Sequence, residues 1–140
     1  MEEFISALQG EVVFSDIEIL QLSPLVLAYI GDSVFDVYIR TLLIKKEGNV
    51  SVHKLHKQSV EYVKAKAQSD AIHRITDSLS QDELDIVKRG RNAKSGTIPK
   101  NADPIEYKYA TGFEALIGYL YLKKDFKRLT DILNLSANRV

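Results

Sequence analysis

The stretch Leu25-Val-Leu-Ala-Tyr-Ile-Gly-Asp-Ser-Val-Phe-Asp-Val-Tyr-Ile-Arg40 decides the fold. Wound at 3.6 residues per turn it is apolar almost all the way round, the pattern of a central helix buried on most of its faces. Asp32 stands in the middle of it. An unpaired carboxylate in such a place is costly, so Asp32 needs a cation, a dense set of donors or a wet cleft. Gly31 beside it gives up about 1 kcal/mol of helix propensity relative to alanine, which points to a close approach by another segment. The same reading applies to Ala110-Thr-Gly-Phe-Glu-Ala-Leu-Ile-Gly-Tyr-Leu-Tyr-Leu122, where Glu114 is the only acid and Gly112 and Gly118 flank it. Two apolar helices, each with one embedded acid, suit a divalent cation held by carboxylates. Magnesium takes one or two carboxylates, keeps several waters and fills the rest of its shell with phosphate. The bland alternative is a helix-packed protein whose acids pair with Arg40, Lys45 or a chain end. Composition and spacing leave both open.

Outward from these segments the punctuation is helical. Ser23-Pro24 offers an N-cap with proline at the first helical position, and the apolar run lasts to about Ile44 before Glu47-Gly48-Asn49 stops it. Ser51 can cap a second helix through Val52, Leu55, Val60, Val63, Ala67 and Ile72, at spacings near three and four. Ser80-Gln-Asp-Glu83 is a capping box that opens a third, with Leu84, Ile86 and Val87 apolar and Gly90 placed to end it. Residues 91–103 read as a loop. Asp103-Pro104 repeats the cap-plus-proline device and starts a helix to about Leu122, and Asp125 can cap a last one through Phe126, Leu129, Ile132 and Leu133. No sustained period-two alternation marks a strand. The expected class is all-α, in one domain over residues 1–140.

The bulk properties narrow the function by exclusion. Lys and Arg number 19 and Asp and Glu number 19, so overall charge announces no nucleic-acid partner and any such claim rests on where the charges sit. With no cysteine there is neither a disulfide framework nor a thiolate zinc site, in keeping with a reducing cytoplasm. The start, Met1-Glu-Glu-Phe, is acidic where a secretory leader is basic, and Asp32, Asp36 and Arg40 interrupt the longest apolar run. A cytoplasmic protein with no membrane span is the expectation.

Three strings, in order, carry a resemblance. Tyr29-Ile-Gly-Asp-Ser-Val-Phe35 resembles the signature of the ribonuclease III family, and Phe113-Glu-Ala-Leu-Ile-Gly118 resembles that family's second motif. Between them, Glu47-Gly48-Asn-Val-Ser51 resembles its Glu-Gly turn. Arg89-Gly-Arg-Asn-Ala-Lys-Ser-Gly96 and Pro99-Lys-Asn-Ala102 resemble the mini-ribonuclease III group, which consists of the catalytic domain alone. The resemblance implies the ribonuclease III endonuclease fold, a helical bundle that forms a two-fold homodimer. It implies hydrolysis of double-stranded RNA to 5′-phosphate and 3′-hydroxyl ends, with Mg2+ (Mn2+ as a substitute) held by Asp32 and Glu114. Glu47 matches a further acidic position. The expected substrate is a precursor of large-subunit, 23S-type ribosomal RNA, with a ribosomal protein as a further partner. The sequence departs from the larger enzymes at Ala28, Leu25 and Thr111, where they carry acids. The rival reading is a non-catalytic, ribosome-associated RNA-binding relative. The histidines, His53, His56 and His73, fall outside both motifs and read as surface or packing residues.

A catalytic domain without an appended RNA-binding domain must make its own phosphate contacts. Lys88, Arg89, Arg91, Lys94 and Lys100 fall in one stretch without an acid, and Asn92, Ser95, Thr97 and Asn101 add neutral donors. A-form RNA is read through phosphates and 2′-hydroxyls, which such a stretch suits; a solvated charged loop is the alternative. Lys54, Lys57 and Lys64 form a second candidate patch on one helix face. Tyr29 and Phe35 are candidates for the dimer interface, or else for the chain's own core.

Overall fold

The computed structural model describes residues 2–10, 13–94 and 97–138. Among them run eight α-helices and no strand: α1 (Glu2–Gln9), α2 (Asp16–Gln21), α3 (Pro24–Glu47), α4 (Val52–Val63), α5 (Ala65–Ile75), α6 (Gln81–Asn92), α7 (Pro104–Leu122) and α8 (Phe126–Ser136). The starts follow from side-chain caps. Ser15 and Ser80 make capping boxes with Glu18 and Glu83, Ser51 accepts from the Lys54 amide, and Asp103 accepts from Ile105 and Glu106 ahead of a proline start. Gly48, at φ 72°, closes α3 in a backbone region that other residues avoid.

Helix α7 is the axis of the molecule. Between Ala110 and Leu120 every residue is buried except Thr111 and Glu114, which are half-buried. Phe113, Leu116 and Ile117 are fully enclosed, each contributing about 2–3 kcal/mol of transfer free energy. Helices α3, α5 and α6 pack around it, and α8 closes the far side. All three neighbours run antiparallel to α7: Gly31 meets Glu114 and Leu27 meets Gly118, His73 meets Tyr109, and Val87 meets Gly112 while Arg91 meets Tyr109.

Glycines set the spacing. A Cβ on Gly31 would drive into the Glu114 carbonyl, and one on Gly118 into that of Leu27, so α3 and α7 touch backbone to backbone. On the other side a Cβ at Gly90 would lie 2.7 Å from the Gly112 Cα. Gly90 therefore does not end α6 as its sequence position suggests. The helix runs on to Asn92, because a buried glycine at a tight helix crossing is worth more there than a left-handed cap.

Two further expectations change. The helix from Ser51 to Ile72 is two helices: Lys64 is extended (ψ 153°) and serves as C-cap to α4 and N-cap to α5. The bend lets α4 lie on α3 while α5 turns onto α7. And α3 is not buried on most faces. Leu27, Gly31, Phe35, Ile39 and Leu43, four apart, make its core stripe, whereas Val26, Tyr29, Val37 and Ile44 are 47, 80, 65 and 57% exposed along the opposite side. No helix among the described residues is long and apolar enough to cross a membrane.

Candidate catalytic centre and nucleic-acid face

The Gly31–Glu114 backbone contact places the next residue of α3, Asp32, beside the side chain of Glu114. The two acids from the two apolar helices are thus brought together where α3 crosses α7. Asp32 is exposed and Glu114 half-buried, so solvent reaches the pair from the Asp32 side. Burial, and then the Asp32 carboxyl through a hydrogen bond and its charge, push the Glu114 carboxyl up to about 9; the Gln68 amide opposes this. In the absence of a cation Glu114 therefore holds its proton at neutral pH. This is the behaviour of two carboxylates sharing one site, and a divalent cation between them would remove the conflict and ionise both.

Nothing else acidic joins them: among the described residues no group of three or more His, Asp or Glu side chains is gathered. Ala28, one turn before Asp32, is buried, and Leu25, two turns before it, is half-buried. Thr111, one turn before Glu114, gives its hydroxyl proton to the Tyr107 carbonyl at 3.0 Å. The protein's contribution to a cation here is two carboxylates, within what magnesium accepts. Glu47 lies at the far end of α3, about 22 Å along the axis from Asp32 in the same chain. There it pairs with Lys54 at 3.5 Å, and its carboxyl is held below the ordinary value first by a hydrogen bond from Gln58. Within one chain it does not belong to the pair.

The basic stretch divides by role. Lys88 and Asn92 on the last turns of α6, and Lys94 and Lys100 beyond it, are exposed. Arg91 is half-buried, with its guanidinium 5.7 Å from the centre of the Tyr109 ring and its Nε donating to Asn92 at 3.3 Å. Arg89 turns inward and donates to the Leu22 carbonyl at 3.1 Å, tying α6 to the start of α3, so part of its donor set is spent on the fold. Tyr109 is five residues before Glu114, so Arg91 meets α7 about 7.5 Å along its axis from the acid pair. Ser95 and Gly96 lie outside the described residues. The second patch is weaker than its spacing suggests. Lys54 and Lys64 are paired with Glu47 and Glu61, and Lys64 sits in the bend between α4 and α5 rather than on the face of Lys54 and Lys57.

Of the two interface candidates, Tyr29 is 80% exposed, but Phe35 is 3% exposed and packs edge-on against Phe113 at 5.1 Å. Phe35 belongs to the chain's own core, because it falls on the four-residue stripe of Leu27, Gly31 and Ile39. The sequence reading missed Gln68, whose side chain is 2% exposed beside Glu114, and it gave no role to Tyr109. His53, His56 and His73 are exposed, as expected; the His73 ring lies 4.3 Å from that of Tyr109.

Comparison with known proteins agrees with this geometry. The Ribonuclease III domain family matches residues 25–125, from the start of α3 to the cap of α8. The chain is 58% identical over 119 residues to Mini-ribonuclease 3 of Thermoanaerobacter sp. (strain X514), covering 85% of this chain and 83% of that protein. It is 48% identical to Mini-ribonuclease 3 of Clostridium tetani (strain Massachusetts / E88), over 89% and 83% of the two chains. The crystal structure of protein FN1578 from Fusobacterium nucleatum superposes with a TM-score of 0.78 at 32% identity, over 89% of this chain and 98% of the other. With the acid pair standing on the two matched helices, the chain belongs to the ribonuclease III family, in its mini-ribonuclease III group.

Proposed function

We propose that this protein is an endoribonuclease that hydrolyses double-stranded RNA as a two-fold homodimer, with Asp32 and Glu114 as its catalytic acids. The observation that carries the reading is the convergence of those two carboxyls at the α3–α7 crossing, so close that Glu114 stays protonated without a cation. Asp32 and Glu114 would hold Mg2+, with Mn2+ as a substitute. When bound, the ion supplies a Lewis acid for a phosphate oxygen and acidifies a water for in-line attack, leaving 5′-phosphate and 3′-hydroxyl ends. The chain's own part is to fix the two carboxyls against a rigid, backbone-to-backbone helix crossing. No side chain need act as nucleophile.

Lys88, Arg91, Asn92, Lys94 and Lys100 would take backbone phosphates and 2′-hydroxyls of an A-form duplex, with Arg89 bracing the helix that presents them. The exposed Val26, Tyr29, Val37 and Ile44, spaced by three, eight and seven residues, fall on one face of α3, as a self-complementary helix face does. Burying that face against its copy would set two centres opposite two strands. The substrate we assign is a precursor of large-subunit ribosomal RNA, by analogy with the family group.

The test is a comparison of a long RNA duplex, its separated strands and the equivalent DNA duplex, each incubated with the protein and Mg2+, followed by analysis of the new ends. Selective cutting of the RNA duplex to 5′-phosphate ends is the expected result. Retention of the duplex without cutting, in Mg2+ and in Mn2+, would put the non-catalytic RNA-binding reading in its place, and the absence of outer acids at Leu25, Ala28 and Thr111 is the feature that favours it.

A further inference from the structure

Gln68 of α5 is buried beside the acid pair. It is 2% exposed, and among the described residues its Nε2 completes no hydrogen bond, although the amide is near enough to Glu114 to act on its carboxyl. Burying an amide donor without a full partner costs stability, and an apolar residue of the same size would fill the space at no such cost. The other buried residues of α5 are Ser69, whose carbonyl lies 2.7 Å from the His73 ring, and the apolar Ala71, Ile72 and Ile75. The unfilled Nε2 stands beside the Glu114 carboxyl, and a carboxylate is a stronger acceptor than any neutral group the α5–α7 contact offers.

We infer that Gln68 is a positioning residue for Glu114: its Nε2 donates to one oxygen of the ionised carboxylate and so turns the other toward Asp32 and a divalent cation. This rests on the reading of Asp32 and Glu114 as the cation-holding pair. It follows the general rule that a ligating carboxylate is itself held by a hydrogen bond, whose removal weakens cation affinity by about 10–100-fold.

The test uses the full chain without RNA, titrated with Mn2+ and followed by calorimetry, with thermal unfolding in chelator measured alongside. Gln68→Met keeps length and volume and removes the donor; Gln68→Leu is a second donor-free variant. Both are expected to unfold at or above the temperature of the intact protein while binding Mn2+ at least about tenfold more weakly. Unchanged Mn2+ affinity in either stable variant, with binding lost in Asp32→Asn, overturns the role of Gln68 alone. Weaker binding that comes with a lowered unfolding temperature in both variants assigns Gln68 to packing and overturns it too. If Asp32→Asn and Glu114→Gln bind Mn2+ as well as the intact chain does, the acid pair is not the cation site, and the inference falls with it.

Discussion

Glu114 meets opposing demands in the free and cation-loaded protein, and the conflict is measurable as a pH dependence. Its folded pKa of about 9 lies above the ordinary 4.5, so between those values the cation-free folded chain holds a proton that the unfolded chain has lost. Its contribution to stability therefore falls as pH rises across that interval. Thermal unfolding in chelator should show the intact protein losing stability from pH 5 to pH 9, with Glu114→Gln flatter and several degrees more stable above pH 7. Equal slopes for the two proteins would show that the Glu114 carboxyl is not raised in the folded chain. Glu83 works in the opposite sense. A hydrogen bond from Arg128 lowers its carboxyl first of all, so its contribution is present at neutral pH and lost as the solution becomes acid. At this scale the sequence was legible where an acid interrupts an apolar run: Asp32 and Glu114 stood out that way, although Asp32 proves to be exposed rather than buried, because the apolar residues around it on α3 are in part exposed too. Gln68 was not, since a glutamine on an amphipathic helix breaks no pattern. Phe35 was readable in principle, because it continues the stripe of Leu27, Gly31, Ile39 and Leu43 that faces α7.

The elements owe their placement to a few contacts that backbone geometry makes unforgiving. Gly31→Ala and Gly118→Ala each push a methyl into a carbonyl of the facing helix, and each should cost about 2 kcal/mol or more by denaturant unfolding, with α3 forced away from α7. A cost below about 0.5 kcal/mol would mean that the helices are not in backbone contact, since a packed core resists even one added methylene. Arg128 ties α8 to the start of α6, donating to both Glu83 oxygens at 2.8 Å and to the Ser78 carbonyl. Glu83 is 5% exposed, so Arg128→Ala leaves a buried charge without its partner and should destabilise the fold by about 3 kcal/mol. Helix starts were legible from the caps at Ser23, Ser51, Ser80, Asp103 and Asp125. The bend at Lys64 and the continuation of α6 through Gly90 were not. Neither carries a local signal: the first is imposed by which helix each half packs on, the second by a crossing with Gly112. The short helices α1 and α2 also passed unread.

For the whole molecule, the balanced total charge hides an uneven distribution, and among the described residues α3 carries four of the exposed large apolar side chains. Tyr29, at 80% the most exposed of the four on α3, is the residue on which the proposed dimer should depend most. Tyr29→Arg should leave each chain folded but shift sedimentation from dimer to monomer, and RNA cutting should fall with it. A variant that remains dimeric would move the interface elsewhere. The all-helical fold and its family could be read from the sequence, because the signature and second motif sit on the two helices that form the core. The split of the basic stretch into presented and bracing residues could not, because Arg89 and Arg91 differ only in the direction that α6 gives them.

The central claim is that Asp32 and Glu114 are the cutting centre. Its most direct test is the rate of RNA-duplex cleavage in saturating Mg2+ by the intact protein, Asp32→Asn and Glu114→Gln, each first shown to be folded and equally assembled. The account predicts a loss of at least about 100-fold in both variants, the lower end of the cost of removing one source of transition-state charge stabilisation. Cleavage by either variant within tenfold of the intact protein would contradict it.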